Sequence, residues 1–407
     1  MAKTIIIIGA GQAAAQAIQT LRAKGSDERI ILIGDEPYLP YDRPPLSKGL
    51  LAGDIELERL YFKKPAFYED KAVDLHLRTR VEAIDRAAKT VTLSDGAPLA
   101  YDDLIIATGA RVRKLSLPGS DLKGIHYLRS IDDVLGIRDE MTPGSRLAIV
   151  GAGYIGLEVA AVARKLGVEV TVLEALDRVM TRVVAAPVSH FYEGVHREAG
   201  VDLRLGIGIS GFEGGAGDGG RVTSVRLADG SHLPCDLAIV GIGVVPNVEL
   251  AEDAGLEVGN GIVVDDCART SDPHIYAAGD CTNHPNALLG ARIRLESVQN
   301  AVSQGKAAAL AILGMAESYA EVPWFWSDQY DLKLQIAGLW EPTDELVLRG
   351  DPQSRKFSAV YVRDGAIAAI NVVNNLKDFL PAKKLIGERR VVDRAKLSDP
   401  EISLKDL

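Results

Sequence analysis

Two hexapeptides in this chain, Gly9-Ala10-Gly11-Gln12-Ala13-Ala14 and Gly151-Ala152-Gly153-Tyr154-Ile155-Gly156, have a spacing that can seat a pyrophosphate. The first glycine permits a tight turn and the second lets the backbone approach the phosphates. The third keeps the following helix close to its strand, a place that Ala14 takes in the first copy. A helix beginning inside each stretch offers free N–H groups and partial positive charge. An acid roughly 20 residues further on can accept hydrogen bonds from a ribose. Asp35 stands there after the first stretch and Glu174 after the second. The repeat does not tell which nucleotide goes where; if the second copy takes a nicotinamide nucleotide, Glu174 argues for NADH over NADPH, because a carboxylate accepts two ribose hydroxyls but repels a 2′-phosphate. Arg178 and Arg182 follow it and would blur that preference if they faced the nucleotide.

The elements that must position these residues are legible as well. Thr4 to Ile8 is a continuous apolar, β-branched run, as in a buried parallel strand. A helical run through Leu21 follows, then a second strand, Ile30 to Ile33, ending at Gly34-Asp35-Glu36. The second copy repeats the plan: strand Leu147 to Val150, a helix from about Leu157 to Leu166, and strand Val168 to Leu173 ending at Glu174. Val91 to Gly96 and Val225 to Gly230 are both strand-then-turn segments. At matching distances they lead to glycine-ended strands, Leu104 to Gly109 and Ala238 to Gly243. Two domains of one plan are expected, each a parallel sheet with a β-meander crossover. A third glycine cluster, Gly211 to Gly220, has no buried strand before it and no helix after it, so it reads as a flexible hairpin loop.

Composition narrows the function. The 407 residues carry a net charge of −10, with 47 % apolar and 25 % charged side chains. That balance disfavours nucleic acid and anionic lipid, which need basic patches. No apolar run approaches the roughly 18 residues of a membrane span. The apolar stretch behind Met1 is too short for a signal peptide and runs into a glycine turn. Three scattered cysteines, Cys235, Cys267 and Cys281, point to a reducing cytoplasm. The seven histidines have no metal-ligand spacing and read as structural or surface residues; no metal is expected.

Beyond the fingerprints, Asp272-Pro273-His274-Ile275-Tyr276-Ala277-Ala278-Gly279-Asp280 and Ala107-Thr108-Gly109 resemble the flavoprotein disulfide reductase superfamily. Pro40-Tyr41-Asp42-Arg43-Pro44-Pro45-Leu46-Ser47-Lys48 and Trp324-Phe325-Trp326-Ser327-Asp328-Gln329 resemble, within it, the FAD-dependent ferredoxin reductases of bacterial P450 and aromatic-ring dioxygenase systems. The resemblance implies a glutathione-reductase-like α/β fold with two Rossmann-like dinucleotide-binding domains and an α+β C-terminal interface domain. It assigns FAD to the first fingerprint, Gly9, Gly11, Ala13 and Ala14, with Asp35 on the adenosine ribose. Arg43 and Lys48 would line the flavin side, with Val81, Ala107, Thr108, Gly109 and Arg129 also at FAD. Asp280 would contact the ribityl and phosphate region, Val298 the flavin ring, and Trp326 would lie near that ring. NADH would be held by Gly151, Gly153, Ile155, Gly156, Glu174 and the Gly241-Ile242-Gly243 strand end. Lys48 and Glu158 match the family's flavin-tuning ion pair, and Glu158 also borders the NADH site.

The implied chemistry joins a two-electron donor to one-electron acceptors. A flavin takes a hydride and releases single electrons, so no side chain need act as a nucleophile. The domains are expected at 1–111 with 245–322 for FAD, 112–244 for NADH and 323–407 for the interface. In the last, strands Leu332 to Ala337, Leu346 to Leu348, Ser358 to Val362 and Ala366 to Val373 precede a basic helix. The expected partner is a [2Fe-2S] ferredoxin, which serves the P450 or dioxygenase and is held transiently by basic residues among Arg292, Arg294, Lys333, Lys383, Lys384, Arg389 and Arg390. A monomer or weak dimer is expected. Rubredoxin reductases and other NADH:acceptor flavoproteins are neighbouring readings. A disulfide reductase would need a redox cysteine in 38–48, where there is none, although Cys281 adjoins Asp280. An apoptosis-inducing-factor-like binding protein shares the Pro-Pro-Leu-Ser-Lys segment but would need basic surfaces.

Overall fold

The computed structural model describes residues 3–215 and 220–407. The chain divides into two compact units. One comprises Met1–Asp42, Glu58–Arg111 and Val245–Phe325; the other comprises Arg43–Leu57, Val112–Val244 and Trp326–Leu407.

The first unit is built on a five-stranded parallel sheet in the order Ile275–Ala277, Asp103–Ile106, Thr4–Ile8, Arg29–Ile33, Val73–His76. Successive side chains of a strand point to opposite faces. Ile5 and Ile7 therefore enter one core with helices Gln12–Ala23 and Val298–Ile312, while Ile6 and Ile8 enter another. That second core lies under the three-stranded meander Val81–Asp85, Thr90–Leu93, Pro98–Ala100. Both faces are covered, so the central strand is apolar without alternation. The two helices meet almost backbone to backbone: a Cβ at Gly305 would lie 2.3 Å from the Ala13 carbonyl oxygen.

The second unit repeats the plan. Its parallel sheet runs Asp202–Arg204, Glu169–Leu173, Arg146–Val150, Leu237–Val240, Ile125–Tyr127. The meander Ile209–Gly214, Val222–Leu227, His232–Pro234 covers one face. Equivalent turns repeat in detail: Gly96 and Gly230 have φ of 84° and 85°. Of the expected glycine-rich loop, 216–219 lie outside the described residues, as do 1 and 2; the antiparallel pair that flanks 216–219 is present. The helix after the second fingerprint spans Tyr154–Lys165, three residues earlier than its apolar pattern suggests. Gly153 is its N-cap, so the glycine-rich turn runs directly into the first helical turn.

The C-terminal part carries a five-stranded sheet, Trp324–Gln329, Leu332–Gly338, Ala366–Val373, Lys356–Arg363, Glu345–Asp351. Asp364 and Gly365, both left-handed at φ 52° and 77°, close the hairpin expected there. Helix Leu376–Glu388 follows and carries Lys377, Lys383 and Lys384; Arg389 is its left-handed C-cap.

Candidate functional site

In both units the glycine-rich segments leave the C-terminal ends of adjacent parallel strands, where open α/β sheets bind ligands. In the first unit, Gly9 follows Thr4–Ile8, Asp35 lies just beyond Arg29–Ile33, Ala107 follows Asp103–Ile106, and Ala278 to Asp280 follow Ile275–Ala277. Gly9 has φ +102°, and a Cβ there would lie 2.2 Å from the Ala107 carbonyl oxygen. The chain's own packing therefore requires glycine at position 9. Gly11 is different. A Cβ there would meet nothing within 4 Å, so no protein atom explains its bareness. It caps helix Gln12–Ala23 with no side-chain hydrogen bond, and the first-turn N–H groups of a helix have no partner within the helix itself. That cradle fits a pyrophosphate.

The second unit gives the same pair of results. Gly151 has φ +107°, and its Cβ would lie 2.4 Å from the Gly241 oxygen; a Cβ at Gly156 would lie 2.2 Å from the Gly151 oxygen. Gly153 and Gly243 face nothing within 4 Å, and Gly153 caps its helix without a side-chain hydrogen bond. Ile155, in the first turn, is 45 % exposed, an apolar surface at the mouth of the cradle.

The acids differ between copies. Glu174 accepts hydrogen bonds from the Ala152 N–H (2.7 Å) and the Leu176 N–H (2.9 Å), which aim it into the glycine turn. By strand hydrogen bonding its counterpart is Gly34, not Asp35: Gly34 N donates to His76 O and Glu174 N to Arg204 O, each at 2.9 Å. A Cβ at Gly34 would sit 2.7 Å from the Ala10 Cβ, so the acid of the first copy is displaced one residue, to the exposed Asp35. Sequence spacing alone missed that offset. Arg178 proves to be taken up by its own loop, donating to Val184 O, Thr181 O and Ser189 Oγ.

Neighbouring loops are tightly fixed. Thr108 Oγ1 donates to Asn247 O (2.9 Å), and Asn247 Nδ2 donates to Thr108 O (2.8 Å). Before Asp280, Gly279 N donates to the buried Gln304 Oε1 at 2.8 Å. Val298 opens helix Val298–Ile312 behind an N-cap at Ser297. Val81 is buried at the start of its meander strand.

Arg43, Lys48, Arg129 and Trp326 belong to the second unit. Arg43 Nη1 donates to Arg129 O at 2.6 Å, and the Arg129 N–H is held by Asp133. Lys48 Nζ lies 2.7 Å from Glu158 Oε2; Lys48 is 22 % exposed and Glu158 only 2 %. The sequence pairs these two residues but misses what else holds the carboxylate. Ser47 Oγ donates to Oε2 at 2.5 Å and Ser327 Oγ to Oε1 at 2.6 Å. Both serines sit inside the motifs that carry the resemblance, Ser47 beside Lys48 and Ser327 beside Trp326.

No cysteine is poised for thiol chemistry. All three are free. Burial pushes the Cys281 thiol up to about 11 and Cys235 to about 12, and burial beside Asp266 and Asp265 raises Cys267. Two histidines, His196 and His284, are fully buried, and burial lowers each to about 4. Unfolded histidine ionises near 6.5. As pH falls from about 6.5 towards about 4, the unfolded chain takes up protons that the folded chain refuses. Stability present above that window is lost within it, on the order of 3 kcal/mol per ring. Neither nitrogen of His284 has a hydrogen-bond partner among the described residues. Thermal unfolding across the window will show a falling midpoint, and His284→Leu will show a shallower fall; an unchanged slope would contradict this.

Residues 3–305 match the description "Pyridine nucleotide-disulphide oxidoreductase", and 324–407 match "Reductase C-terminal". The chain belongs to the pyridine nucleotide-disulphide oxidoreductase family. Among family members it is 45 % identical to a probable ferredoxin reductase, CtmF, of Castellaniella defragrans, over 99 % of this chain and 98 % of that one. It is 42 % identical to putidaredoxin reductase CamA of Pseudomonas putida, over 99 % and 96 %. Its fold matches the covalent putidaredoxin reductase–putidaredoxin complex with a TM-score of 0.96 at 42 % identity, covering 99 % of this chain and 97 % of that one. No helix among the described residues is long and apolar enough to cross a membrane.

Proposed function

We propose that this chain is an NADH-dependent ferredoxin reductase that passes electrons from NADH through FAD, one at a time, to a small [2Fe-2S] ferredoxin serving a P450 or ring-hydroxylating oxygenase. The observation that carries the reading is the pair of glycine cradles whose bareness no protein atom explains, in a chain that matches ferredoxin reductases along its whole length. Residues 1–111 with 245–322 serve FAD, 112–244 serve NADH and 323–407 form the interface domain, in keeping with the break between the two family matches.

When bound, FAD accepts a hydride from NADH and gives up its electrons singly. The chain's own residues bind and orient. The Gly9–Ala14 turn holds the FAD pyrophosphate, Asp35 its ribose, Ala107 to Gly109 and Asp280 its middle, and Val81, Arg129 and Val298 its flavin end. The Gly151–Gly156 turn and Gly241 to Gly243 hold NADH, with Ile155 against it. Glu174 accepts from the ribose hydroxyls. Because Arg178 is spent on its own loop, it offers nothing to a 2′-phosphate, which favours NADH. Lys48, anchored on Glu158, supplies positive charge at the flavin, with Arg43 and Trp326 beside it. Each NADH serves two one-electron acceptors and releases one proton.

For the partner, Arg292 and Arg294 are already engaged, by Val264 O and Asn283 O and by Glu296 and Asn260 respectively. Lys384 pairs with Glu388 at 3.7 Å, and the docking charges for an acidic ferredoxin are drawn from among Lys333, Lys383, Lys384, Arg389 and Arg390. The free cysteines fit a reducing cytoplasm.

The deciding experiment is NADH oxidation by the purified protein with a panel of small [2Fe-2S] ferredoxins. The protein will be yellow, NADH will outperform NADPH, turnover will fall as salt rises, and thiol-blocking reagents will leave it intact. A colourless polypeptide that cannot be reconstituted with flavin, or turnover abolished by a thiol reagent, would overturn the reading.

A further inference from the structure

Glu158 is the end of a longer buried chain. Ser327 Oγ, which donates to Glu158 Oε1, lies 3.2 Å from Gln329 Nε2. Gln329 Oε1 is 2.9 Å from His196 Nε2, and His196 Nδ1 is 3.1 Å from the Tyr330 hydroxyl. Ser327, Gln329 and His196 are 0 %, 1 % and 0 % exposed, whereas Tyr330 is 38 % exposed and reaches the surface. Ser327 and Gln329 share one face of strand Trp324–Gln329, and His196 sits on helix Ala186–Glu198.

One chemical fact fixes every link. An ionised carboxylate can only accept. Ser327 must therefore donate to Glu158, and its oxygen is left to receive the Gln329 amide N–H. The Gln329 carbonyl then faces His196, so Nε2 must carry the imidazole proton and Nδ1 must accept from Tyr330. Burial keeps the ring neutral, which permits only this tautomer. All the dipoles aim at the carboxylate, and hydrogen bonds in such a chain strengthen one another. Burying an amide and an imidazole costs free energy that apolar side chains of similar size would avoid, so packing alone does not account for the arrangement.

We propose that His196 is a positioning residue for the redox reaction, acting through Gln329 and Ser327 to hold the Glu158 carboxylate, and with it Lys48, in place at the flavin. This rests on the FAD and NADH reading above. The charge on Glu158 thus sets the tautomer of a ring it does not touch, and removing that ring weakens the grip on Lys48.

Two measurements on the FAD-loaded enzyme test it. Nitrogen NMR of the histidine rings will show His196 as a single Nε2–H tautomer in the wild type. In Glu158→Gln, whose amide can donate or accept, it will show a mixture. In stopped-flow, His196→Leu will slow flavin reduction by NADH on the order of three- to tenfold. His196→Gln, which keeps a donor towards Gln329, will restore the rate to within about twofold. The Leu effect will vanish in a Glu158→Gln background, because the two act as one unit. Reduction by His196→Leu as fast as wild type, an equal slowing in both backgrounds, or an Nδ1–H ring in the wild type would overturn the inference. A wild-type protein that lacks flavin or is not reduced by NADH would instead count against the functional reading on which it rests.

Discussion

Gly9→Val protein will purify with little or no flavin and with a lowered thermal midpoint, while Gly11→Val will lose flavin and keep its midpoint. The two glycines separate packing from ligand. At Gly9 a side chain meets φ +102°, where a β-branched residue is a severe outlier, and a Cβ placed 2.2 Å from the Ala107 oxygen. Ala107 cannot retreat, because its N–H is bonded to Ile8 O at 2.7 Å and it closes a strand paired on both sides. The turn must therefore deform, with a loss of several kcal/mol on the order of that for a strained backbone plus an overpacked core. At Gly11 the backbone is extended and a side chain meets only open space, so the fold is spared. The same space is where phosphate must approach, and affinity for FAD should fall by roughly a hundredfold or more. Flavin absorbance per polypeptide and thermal unfolding read the two effects separately. Gly11→Val that retains flavin as firmly as wild type would remove the phosphate role from this turn.

Arg349→Met will destabilise the chain by about 3–5 kcal/mol, the range for removing one partner of a buried ion pair. Arg349 is 1 % exposed and lies 3.3 Å from Asp378, itself 3 % exposed. Its guanidinium also donates to the carbonyls of Leu397, Asp399 and Ile402, so it fastens the last turn of chain to the C-terminal sheet. Methionine fills the stem but takes the guanidinium from the Asp378 charge, which keeps Ser358 and Asn375 as donors, at 2.9 and 2.8 Å. Urea unfolding measures the loss, and limited proteolysis will cut the tail first. The double change Arg349→Met with Asp378→Leu should recover a good part, because no buried charge is then left alone. A single variant as stable as the wild type would show that solvent reaches Asp378.

What sequence disclosed, and what it withheld, follows from distance along the chain. The glycine turns, their strands and the acid after each are local patterns, and the repeat made them legible twice. Lys48 and Glu158 could be paired only through resemblance, being 110 residues apart. Ser327, 169 residues from Glu158, stands inside the motif with no sign of its role, since only the packing of its strand against the helix that carries Glu158 brings them together. His196 read as one scattered histidine among seven, because a ring's partners are set by tertiary packing and leave no spacing to detect. Arg349 gave no signal either: arginine on a strand normally faces solvent. The shift from Gly34 to Asp35 depends on whether a Cβ fits beside Ala10, which is decided only in the folded chain.

The strand Trp324–Gln329 has two sides, and they carry different cargo. Ser327 and Gln329 are buried on one, while Trp326 and Asp328, half-buried, alternate onto the other. Side chains at Trp326 and Asp328 therefore lie apart from the hydrogen bonds by which Ser327 and Gln329 fasten the carboxylate behind the strand.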